Sequence, residues 1–285
     1  MTKHSVNIDE VTVLGFGEEW ASFTQEKLDP AEQRKLFDQY FSVFPFDQLP
    51  PGAEGFDLGC GTGRWAELVA ARVGQLHCID PAAKALAVAR QRLKNRTNVR
   101  LHECGVDDIP LADGSQDFGY SLGVLHHIPD TEAAMATCVR KLKPGAPFLV
   151  YIYYAFDNRP GWYRSLWRVS ELGRRAISRL PFGARKAVTS AIATLVYWPL
   201  ARTASMLEAG GADVRNVPLA EYRQHSFYTM RTDALDRFGT RLEQRFSRVE
   251  IEQMMRRSGL GDIIFREGPP FWVACGRKAK RRLAR

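Results

Sequence analysis

The chain has 285 residues, 45% of them hydrophobic and 25% charged, a balance typical of a folded globular protein that excludes extensive disorder. Its formal net charge of +8 suits an anionic partner: nucleic acid, a membrane surface or an acidic substrate. Five cysteines without a CxxC pair predict free thiols and no metal site, and the lack of an apolar leader or a membrane-long apolar run predicts a cytoplasmic location.

The first predicted unit is a helical N-terminal cap over residues 1–51. Aromatic and aliphatic residues recur there among acids and bases at helical spacing, and Pro50-Pro51-Gly52 ends the pattern.

Short apolar runs then alternate with helical stretches, the pattern of a parallel sheet covered by helices. Strands are predicted over 55–58, 76–79, 99–102, 118–122 and 148–154, and helices over 64–73, 82–94 and 131–142. Asp130 is the predicted N-cap of the last helix, and Pro144-Gly145 follow its end.

The alternation stops over residues 157–246, where tryptophans stand among many arginines, and we interpret this segment as an inserted lid or acceptor subdomain. It resumes at Ser247 and Glu250, which form a capping box, and strands over 262–266 and 271–275 follow. The predicted organisation is therefore an α/β core over 52–156 plus 247–277, interrupted by the insertion and followed by a basic tail over 278–285.

Three glycines follow the first predicted strand. Gly59, Gly61 and Gly63 allow a tight turn, a close backbone approach to a ligand and free amides at a helix start. Their G-x-G-x-G spacing differs from the G-x-G-x-x-G of dinucleotide sites, which disfavours NAD or FAD.

A carboxylate ends the second predicted strand. Asp80 lies there beside the glycine turn, where it can accept hydrogen bonds from both hydroxyls of a ribose. It can also serve as a helix N-cap before Pro81, and the two roles are compatible.

These features belong to a series of six motifs in order. They are Asp57-Leu58-Gly59-Cys60-Gly61-Thr62-Gly63, Asp80-Pro81, Ile109-Pro110-Leu111, Gln116-Asp117-Phe118, Leu125-His126-His127-Ile128-Pro129-Asp130 and Leu142-Lys143-Pro144-Gly145. With them the chain resembles the class I S-adenosylmethionine-dependent methyltransferases, specifically the type 11 small-molecule family. The resemblance implies a Rossmann-like, seven-stranded sheet and S-adenosylmethionine as cofactor.

The resemblance also assigns roles to matching positions. Asp57 and the glycine loop hold the methionine end, Asp80 holds the ribose, and Val106 with its neighbours lines the adenine. Gly105 departs from the family, which often has an aspartate there, so Asp107 is the alternative adenine contact. The predicted cofactor-binding residues are Trp20, Asp57, Gly59, Cys60, Gly61, Gly63, Asp80, Pro81, Val106, Asp107 and Leu122.

Two predicted roles have structural alternatives. Trp20 can cover the sulfonium, where an aromatic face favours a cation, or pack in the cap core. His126 follows the fourth strand with His127, and in the resembling family the first of this pair tends to face the pocket. We therefore take His126 as the candidate base, and the alternative is that both histidines only fix the loop.

Further candidates for contact with the acceptor are Tyr153 and Tyr154, at the end of the fifth strand, and His225, Tyr228 and Arg231 in the insertion. Strand alternation indicates that only one of Tyr153 and Tyr154 points inward. Between Arg159 and Arg202 the chain has nine basic residues and one acid, Glu171.

That charge favours an anionic small-molecule, glycan or lipid-linked acceptor, methylated at oxygen or nitrogen. Residues 157–202 are also candidates for peripheral membrane contact, and the apolar turns over 187–201 for an acceptor channel, an interfacial helix or a homodimer contact.

Two other functions are weighed against this one. RNA methylation is disfavoured, because Ser121-Leu122-Gly123-Val124 stands where base-nitrogen methyltransferases have Asp/Asn-Pro-Pro-Tyr/Phe. A non-catalytic, cofactor-binding regulatory subunit is disfavoured because the glycine loop and Asp80 are both intact.

Overall fold

The computed structural model describes residues 7–280. The chain divides into two compact units. Unit 1 contains residues 1–21, 36–155 and 242–285, and unit 2 contains residues 22–35 and 156–241. Residues 22–35 of the predicted cap thus belong with most of the predicted insertion.

Unit 1 is built on a seven-stranded sheet with the order β3-β2-β1-β4-β5-β7-β6, in which β7 is antiparallel to both of its neighbours. This is the predicted Rossmann-like fold. The strands are β1 (Glu54–Leu58), β2 (Gln75–Ile79), β3 (Val99–His102), β4 (Phe118–Leu122), β5 (Pro147–Tyr151), β6 (Leu260–Phe265) and β7 (Val273–Lys278).

Helices and two apolar layers cover this sheet. Phe56 and Phe148 lie in one layer, whereas Phe118 and Tyr120 lie in the other, as alternation along strands requires. The helices that lie wholly or partly in this unit are α1 (Glu10–Ser22), α2 (Pro30–Tyr40), α3 (Ala66–Val69), α4 (Ala83–Arg92), α5 (Thr131–Lys141) and α10 (Arg248–Arg257).

Helix α4 is shorter than its predicted range of 82–94 by one residue at the start and two at the end, and two further elements differ more. The fifth strand ends at Tyr151, which pairs with Val273. Ile152 still exchanges two long backbone hydrogen bonds of 3.4 Å with Trp272, and from Tyr153 onward the chain pairs with Phe246 instead. The helix predicted over 64–73 is α3 followed by a 3-10 turn over Ala70–Arg72. The capping box at Ser247 is present, and Asp130 caps α5 by accepting the Ala133 N–H.

Unit 2 is helical. Its helices are α6 (Gly161–Ile177), α7 (Phe182–Ile192), α8 (Trp198–Ala209) and α9 (Phe227–Gly239). A five-residue π segment over Ala193–Tyr197 joins α7 to α8. The second residue of α8 is Pro199, which has no N–H and therefore interrupts regular helical bonding. Ala193, Tyr197, Met230 and Ala234 form its small core.

Two predictions concern the ends and the membrane. The tail predicted over 278–285 begins with the last residue of β7, and residues 281–285 lie outside the described residues. Within 7–280, no helix combines the length and the apolar composition needed to cross a bilayer.

Candidate functional site

The glycine loop lies at the carboxyl end of β1. All three glycines have positive φ, +76° at Gly59, +53° at Gly61 and +74° at Gly63, a region that favours glycine. Gly59 also has no room for a side chain, since an added Cβ would lie 2.2 Å from a methyl group of Val124. The loop therefore requires glycine for both its backbone and its packing.

The Asp80 carboxylate closes this loop. Its Oδ2 accepts the Gly61 N–H at 2.9 Å, and its Oδ1 accepts the Ala82 N–H at 2.8 Å. Burial raises the pKa of Asp80 to about 6, against the opposing effect of these two N–H groups. A carboxylate offers about four acceptor positions, so two remain for a pair of vicinal hydroxyls.

Asp57 lies within β1 and is buried. Its Oδ2 has no hydrogen-bond partner among the described residues, and the nearby Tyr120 hydroxyl does not reach regular hydrogen-bond geometry. The pKa of Asp57 is raised to about 8, mainly by burial. The nearby Tyr120 hydroxyl opposes this shift, and the Asp80 charge contributes to it. A buried carboxyl group next to a glycine loop suits a cationic ligand group, because an opposite charge favours its ionised form.

The helix α1 lies along the loops at this edge of the sheet. The Trp20 ring is beside the glycine loop, where an added Cβ at Gly61 would be 3.5 Å from Trp20 Nε1. An added Cβ at Gly17 would lie 3.7 Å from Ala82 Cβ, and the Phe16 ring is 4.9 Å from that of His127. This position suits the predicted role of Trp20 in covering the cofactor sulfonium, and that role stays a prediction.

The predicted adenine contacts follow β3. Val106 is buried and begins a short 3-10 turn, whereas Asp107 is exposed. The Asp107 carboxylate accepts the Asn7 N–H at 3.0 Å, and the Asn7 side chain bonds the backbone of Asp130 at 2.8 and 2.9 Å. Asn7 therefore ties the turn after β3 to the start of α5.

The remaining predicted cofactor contacts surround the loop. Cys60 is buried, and its pKa is raised well above 9.0 by its contact with the Cys78 thiol and by burial. Pro81 follows Asp80 and is half-buried, and Leu122 is the last residue of β4. The structure thus brings the predicted cofactor residues to one end of β1, β2, β3 and β4.

His126 lies in a cluster past the ends of β4 and β5 and is fully buried. Its ring stacks on Tyr153 at 3.9 Å, and its Nδ1 accepts the Tyr153 N–H at 3.4 Å. Its Nε2 is buried without a partner among the described residues. Burial first, then the charges of His127 and Arg245, lower the pKa of His126 well below 6.5, so the ring is neutral near pH 7.

The structure separates the two tyrosines after β5. Tyr153 lies with His126, and Arg245 stands 5.0 Å from its ring. Tyr154 packs in the opposite layer, 5.4 Å from Phe271 and 6.3 Å from Trp272. A role for Tyr154 at the acceptor stays a prediction, and Tyr153 is the tyrosine next to the candidate base.

The segment 242–246 borders this cluster. The Leu242 carbonyl contacts His127 Nδ1 at 2.6 Å, and the Gln244 N–H donates to the His126 carbonyl at 3.0 Å. Glu243 is buried and pairs with Arg245 at 2.7 Å, and its Oε2 has no partner among the described residues. Two buried polar atoms without partners among the described residues, His126 Nε2 and Glu243 Oε2, therefore belong to this cluster.

His225 and Tyr228 lie in unit 2. His225 Nδ1 is 3.8 Å from the Glu32 carboxylate, and burial lowers the pKa of His225 although Glu32 opposes this. The Tyr228 hydroxyl accepts the Gln25 N–H at 3.0 Å. Their predicted contact with the acceptor stays a prediction.

Unit 2 also has two cations that converge on Phe23. Lys186 Nζ lies 5.3 Å and the Arg231 guanidinium 5.5 Å from the ring centre, and the Tyr228 ring is 5.8 Å away. Lys186 contacts the Ser22 hydroxyl, and Arg231 reaches that of Ser190, one turn beyond Lys186 on α7. Within residues 7–280 neither cation has a carboxylate partner, and Arg231 Nε is buried without any partner.

Other basic residues of the insertion have structural roles. Arg174 is buried, pairs with Glu171 at 2.6 Å and donates to the Thr240 carbonyl. Arg185 is also buried and donates to the Gly239 carbonyl at 3.1 Å. The positive excess read from the sequence is thus divided between internal contacts and groups available to a ligand.

Sequence reasoning missed Asn7, Tyr120, Val124, Glu243 and Arg245. Only Tyr120 had a detectable signal, because a residue on a neighbouring strand of the same sheet can lie beside Asp57. The other four lie on distant or irregular segments, and neither helix nor strand periodicity in the sequence predicts that such segments reach the site.

Comparison with known proteins gives a family match. Residues 56–150 match the model of a methyltransferase domain. The chain is 33% identical over 111 residues to phosphoethanolamine N-methyltransferase 2 of Caenorhabditis elegans, covering 38% of this chain and 25% of the relative. It is 35% identical over 97 residues to a ubiquinone biosynthesis O-methyltransferase of Xanthomonas campestris, covering 33% and 41%. The aligned part therefore spans between a quarter and about two-fifths of these relatives.

Solved structures are similar in fold. An O-methyltransferase family protein from Burkholderia thailandensis aligns with TM-score 0.53 at 13% identity, covering 94% of this chain and 59% of that one. A putative methyltransferase from Haloferax volcanii, solved in complex with the Trm112 activator, aligns with TM-score 0.51 at 14% identity, covering 93% and 98%.

Proposed function

We propose, since residues 56–150 form a class I S-adenosylmethionine-dependent methyltransferase domain, that this protein methylates a small-molecule acceptor with an anionic group, at oxygen or nitrogen. The observation that carries the proposal is the glycine loop closed by Asp80 beside the unpaired carboxylate of Asp57. It combines acceptors for ribose hydroxyls with a buried carboxyl group that can ionise beside the methionine ammonium.

The residues present fit this cofactor. Asp57 would hold the methionine end, Asp80 the ribose, and Val106 with Asp107 the adenine. Trp20, on the loop side of α1, would cover the sulfonium. Ionisation of Asp57 would become favourable beside the ligand's positive charge, because an opposite charge lowers the pKa of a carboxyl.

S-adenosylmethionine supplies a methyl group already activated on a sulfonium. The protein's own task is to align the acceptor and exclude water, which can supply about 7 to 11 kcal/mol of barrier reduction. Buried His126 and half-buried Tyr153 lie past the carboxyl ends of β4 and β5, the edge at which open α/β sheets bind their substrates.

His126 can act in this cluster in one of two ways. Because its Nδ1 accepts a backbone N–H, the neutral ring carries its proton on Nε2 in this geometry. In that tautomer Nε2 donates a hydrogen bond to the acceptor, and base action at Nε2 requires the proton to move to Nδ1. We propose that His126 orients the acceptor, with proton removal as the alternative.

The anionic group of the acceptor is supported by Lys186 and Arg231. Two cations without carboxylate partners, flanked by the hydroxyls of Ser22 and Ser190, are the chemistry that binds a phosphate or carboxylate. The named substrate of the Caenorhabditis relative, phosphoethanolamine, has such a group.

The test is release of S-adenosylhomocysteine with a panel of phosphorylated, carboxylated, glycan, lipid-linked and RNA acceptors. We expect turnover with a phosphorylated or carboxylated acceptor and none when its anionic group is esterified. Turnover with RNA alone would replace this proposal by RNA methylation, and cofactor binding without turnover on any acceptor would favour a regulatory subunit.

A further inference from the structure

The outer face of α6 is apolar and exposed. Trp162, Leu166, Val169 and Leu172 recur every three or four residues, and each is 50 to 66% exposed. This spacing puts the four side chains on one stripe of the helix. Eleven of the 15 exposed large hydrophobic residues in the described chain lie between Trp162 and Leu207, so the exposure is concentrated in this part of unit 2.

Another face of α6 packs on the rest of unit 2. Tyr163 and Trp167 pack on Phe156 at 5.4 and 5.6 Å, and Ser170 accepts a hydrogen bond from Arg237 at 3.2 Å. Arg174 reaches the Thr240 carbonyl from the same side. One face of α6 therefore packs on the rest of unit 2, and the apolar stripe lies on a different face.

An exposed cationic row borders the stripe. Arg164, Arg168 and Arg175 are four or seven residues apart and therefore share a second outer face of the helix. Arg164 and Arg168 have no carboxylate partner within residues 7–280, whereas Arg175 shares Glu171 with Arg174. Apolar and cationic groups thus reach solvent side by side on one 17-residue helix.

We infer that α6 is an interfacial helix that binds an anionic membrane surface. The apolar stripe would enter the boundary between headgroups and acyl chains, and the arginine row would lie against anionic headgroups. The charge complementarity favours this occupant. A second copy of the chain would instead double the uncompensated positive charge at the contact. The inference does not depend on the methyltransferase activity.

The experiment is flotation of the full-length protein with vesicles of phosphatidylcholine alone or with about 40% phosphatidylglycerol. We expect binding to the anionic vesicles that weakens as salt rises. Leu166→Gln with Leu172→Gln should lower the partition coefficient at least about tenfold, because less apolar area leaves water. Arg164→Gln with Arg168→Gln should lower it roughly 30-fold, since each arginine near such a surface contributes about fivefold.

The controls are matched variants in unit 1. Ile264→Thr removes an equally exposed apolar residue, and Arg90→Gln with Arg96→Gln removes two exposed arginines at the same net charge as the test pair. Both should bind vesicles as the wild type does. Three results would overturn the inference. The control variants could lose as much vesicle binding as the test variants, the wild type could bind neutral vesicles as well as anionic ones, or it could bind no vesicles. The inference would also be overturned if sedimentation showed a dimer that Leu166→Gln with Leu172→Gln dissociates, while the same variant still binds vesicles as the wild type does.

Discussion

The Asp80 carboxylate accepts the Gly61 N–H at 2.9 Å and so fastens the glycine loop after β1 to the end of β2. The same carboxylate accepts the Ala82 N–H at the start of the segment that leads into α4. One side chain therefore orders the loop and still has acceptor capacity for a ligand, which makes Asp80 the most informative residue to test.

Asp80→Ala should weaken S-adenosylmethionine binding by about 1 to 3 kcal/mol, because ribose hydroxyls lose their acceptors. Isothermal titration calorimetry measures this, with Asp113→Asn, an exposed carboxylate on another loop, as the control. Unchanged affinity in Asp80→Ala would remove this residue from the cofactor site.

Cofactor affinity should rise with pH between about 6.5 and 8.5. Asp57 has a pKa of about 8 in the free protein, and the ligand's ammonium needs its ionised form, so binding at lower pH must first release a proton. Asp57→Asn should bind more weakly and lose this pH dependence. Calorimetry at three pH values tests it, and a pH dependence retained by Asp57→Asn would assign it to another group.

The same carboxyl should lower the stability of the free protein as pH rises. The pKa of Asp57 in the folded chain is above the 3.8 of an ordinary aspartate, so between about pH 4 and 8 the unfolded chain loses its proton before the folded chain does. The Asp57 contribution to the free energy of unfolding therefore falls across this window, and it levels off above about pH 8. Urea denaturation of the wild type and Asp57→Asn across this range measures the difference.

Gly59→Ala should destabilise the fold by about 2 to 4 kcal/mol, combining a positive φ with a clash against Val124. Gly114→Ala is the matched control, because Gly114 has φ of +70° but no atom within 4 Å of an added Cβ. The control should cost only about 1 kcal/mol. Equal losses in chemical denaturation would show that packing at Val124 contributes nothing.

Arg231→Gln should raise the KM for the anionic acceptor about tenfold, since a charge-assisted hydrogen bond contributes roughly 1.5 kcal/mol. The Kd of S-adenosylmethionine should not change. Arg90→Gln, an exposed arginine of unit 1, should alter neither constant. A fall in kcat at constant KM would contradict a role in binding the acceptor.

His126→Phe should lower kcat at least about tenfold while leaving the Kd of the cofactor within about twofold. Phenylalanine keeps a ring against Tyr153 and removes the two nitrogens, so the comparison isolates their chemistry. Near-normal turnover would leave His126 with a structural role only.

Much of unit 1 could be predicted from the sequence. Its strands are short apolar runs bounded by turn residues, and the glycine loop is one continuous segment, so each signal is local. Alternation along the strand predicted that Tyr153 and Tyr154 point to opposite sides, but which of them lies beside His126 was not predictable, because that depends on how the chain leaves β5 and pairs with Phe246, far away in the sequence. Asn7 and Glu243 reach the site from distant segments for the same reason.

The sequence by itself determined the positive excess of the insertion, with nine basic residues and one acid between Arg159 and Arg202. Once α6 is known to be a helix, the spacing of its residues also gives an apolar stripe and an arginine row. It could not determine which face packs, because an apolar stripe has the same periodicity whether it faces a core or solvent. Only the tertiary structure decided this, by attaching α6 through Tyr163, Trp167 and Arg174 and leaving Trp162 to Leu172 exposed. Whether a face of a helix is buried depends on the segments that pack against it, and only the fold determines which segments those are.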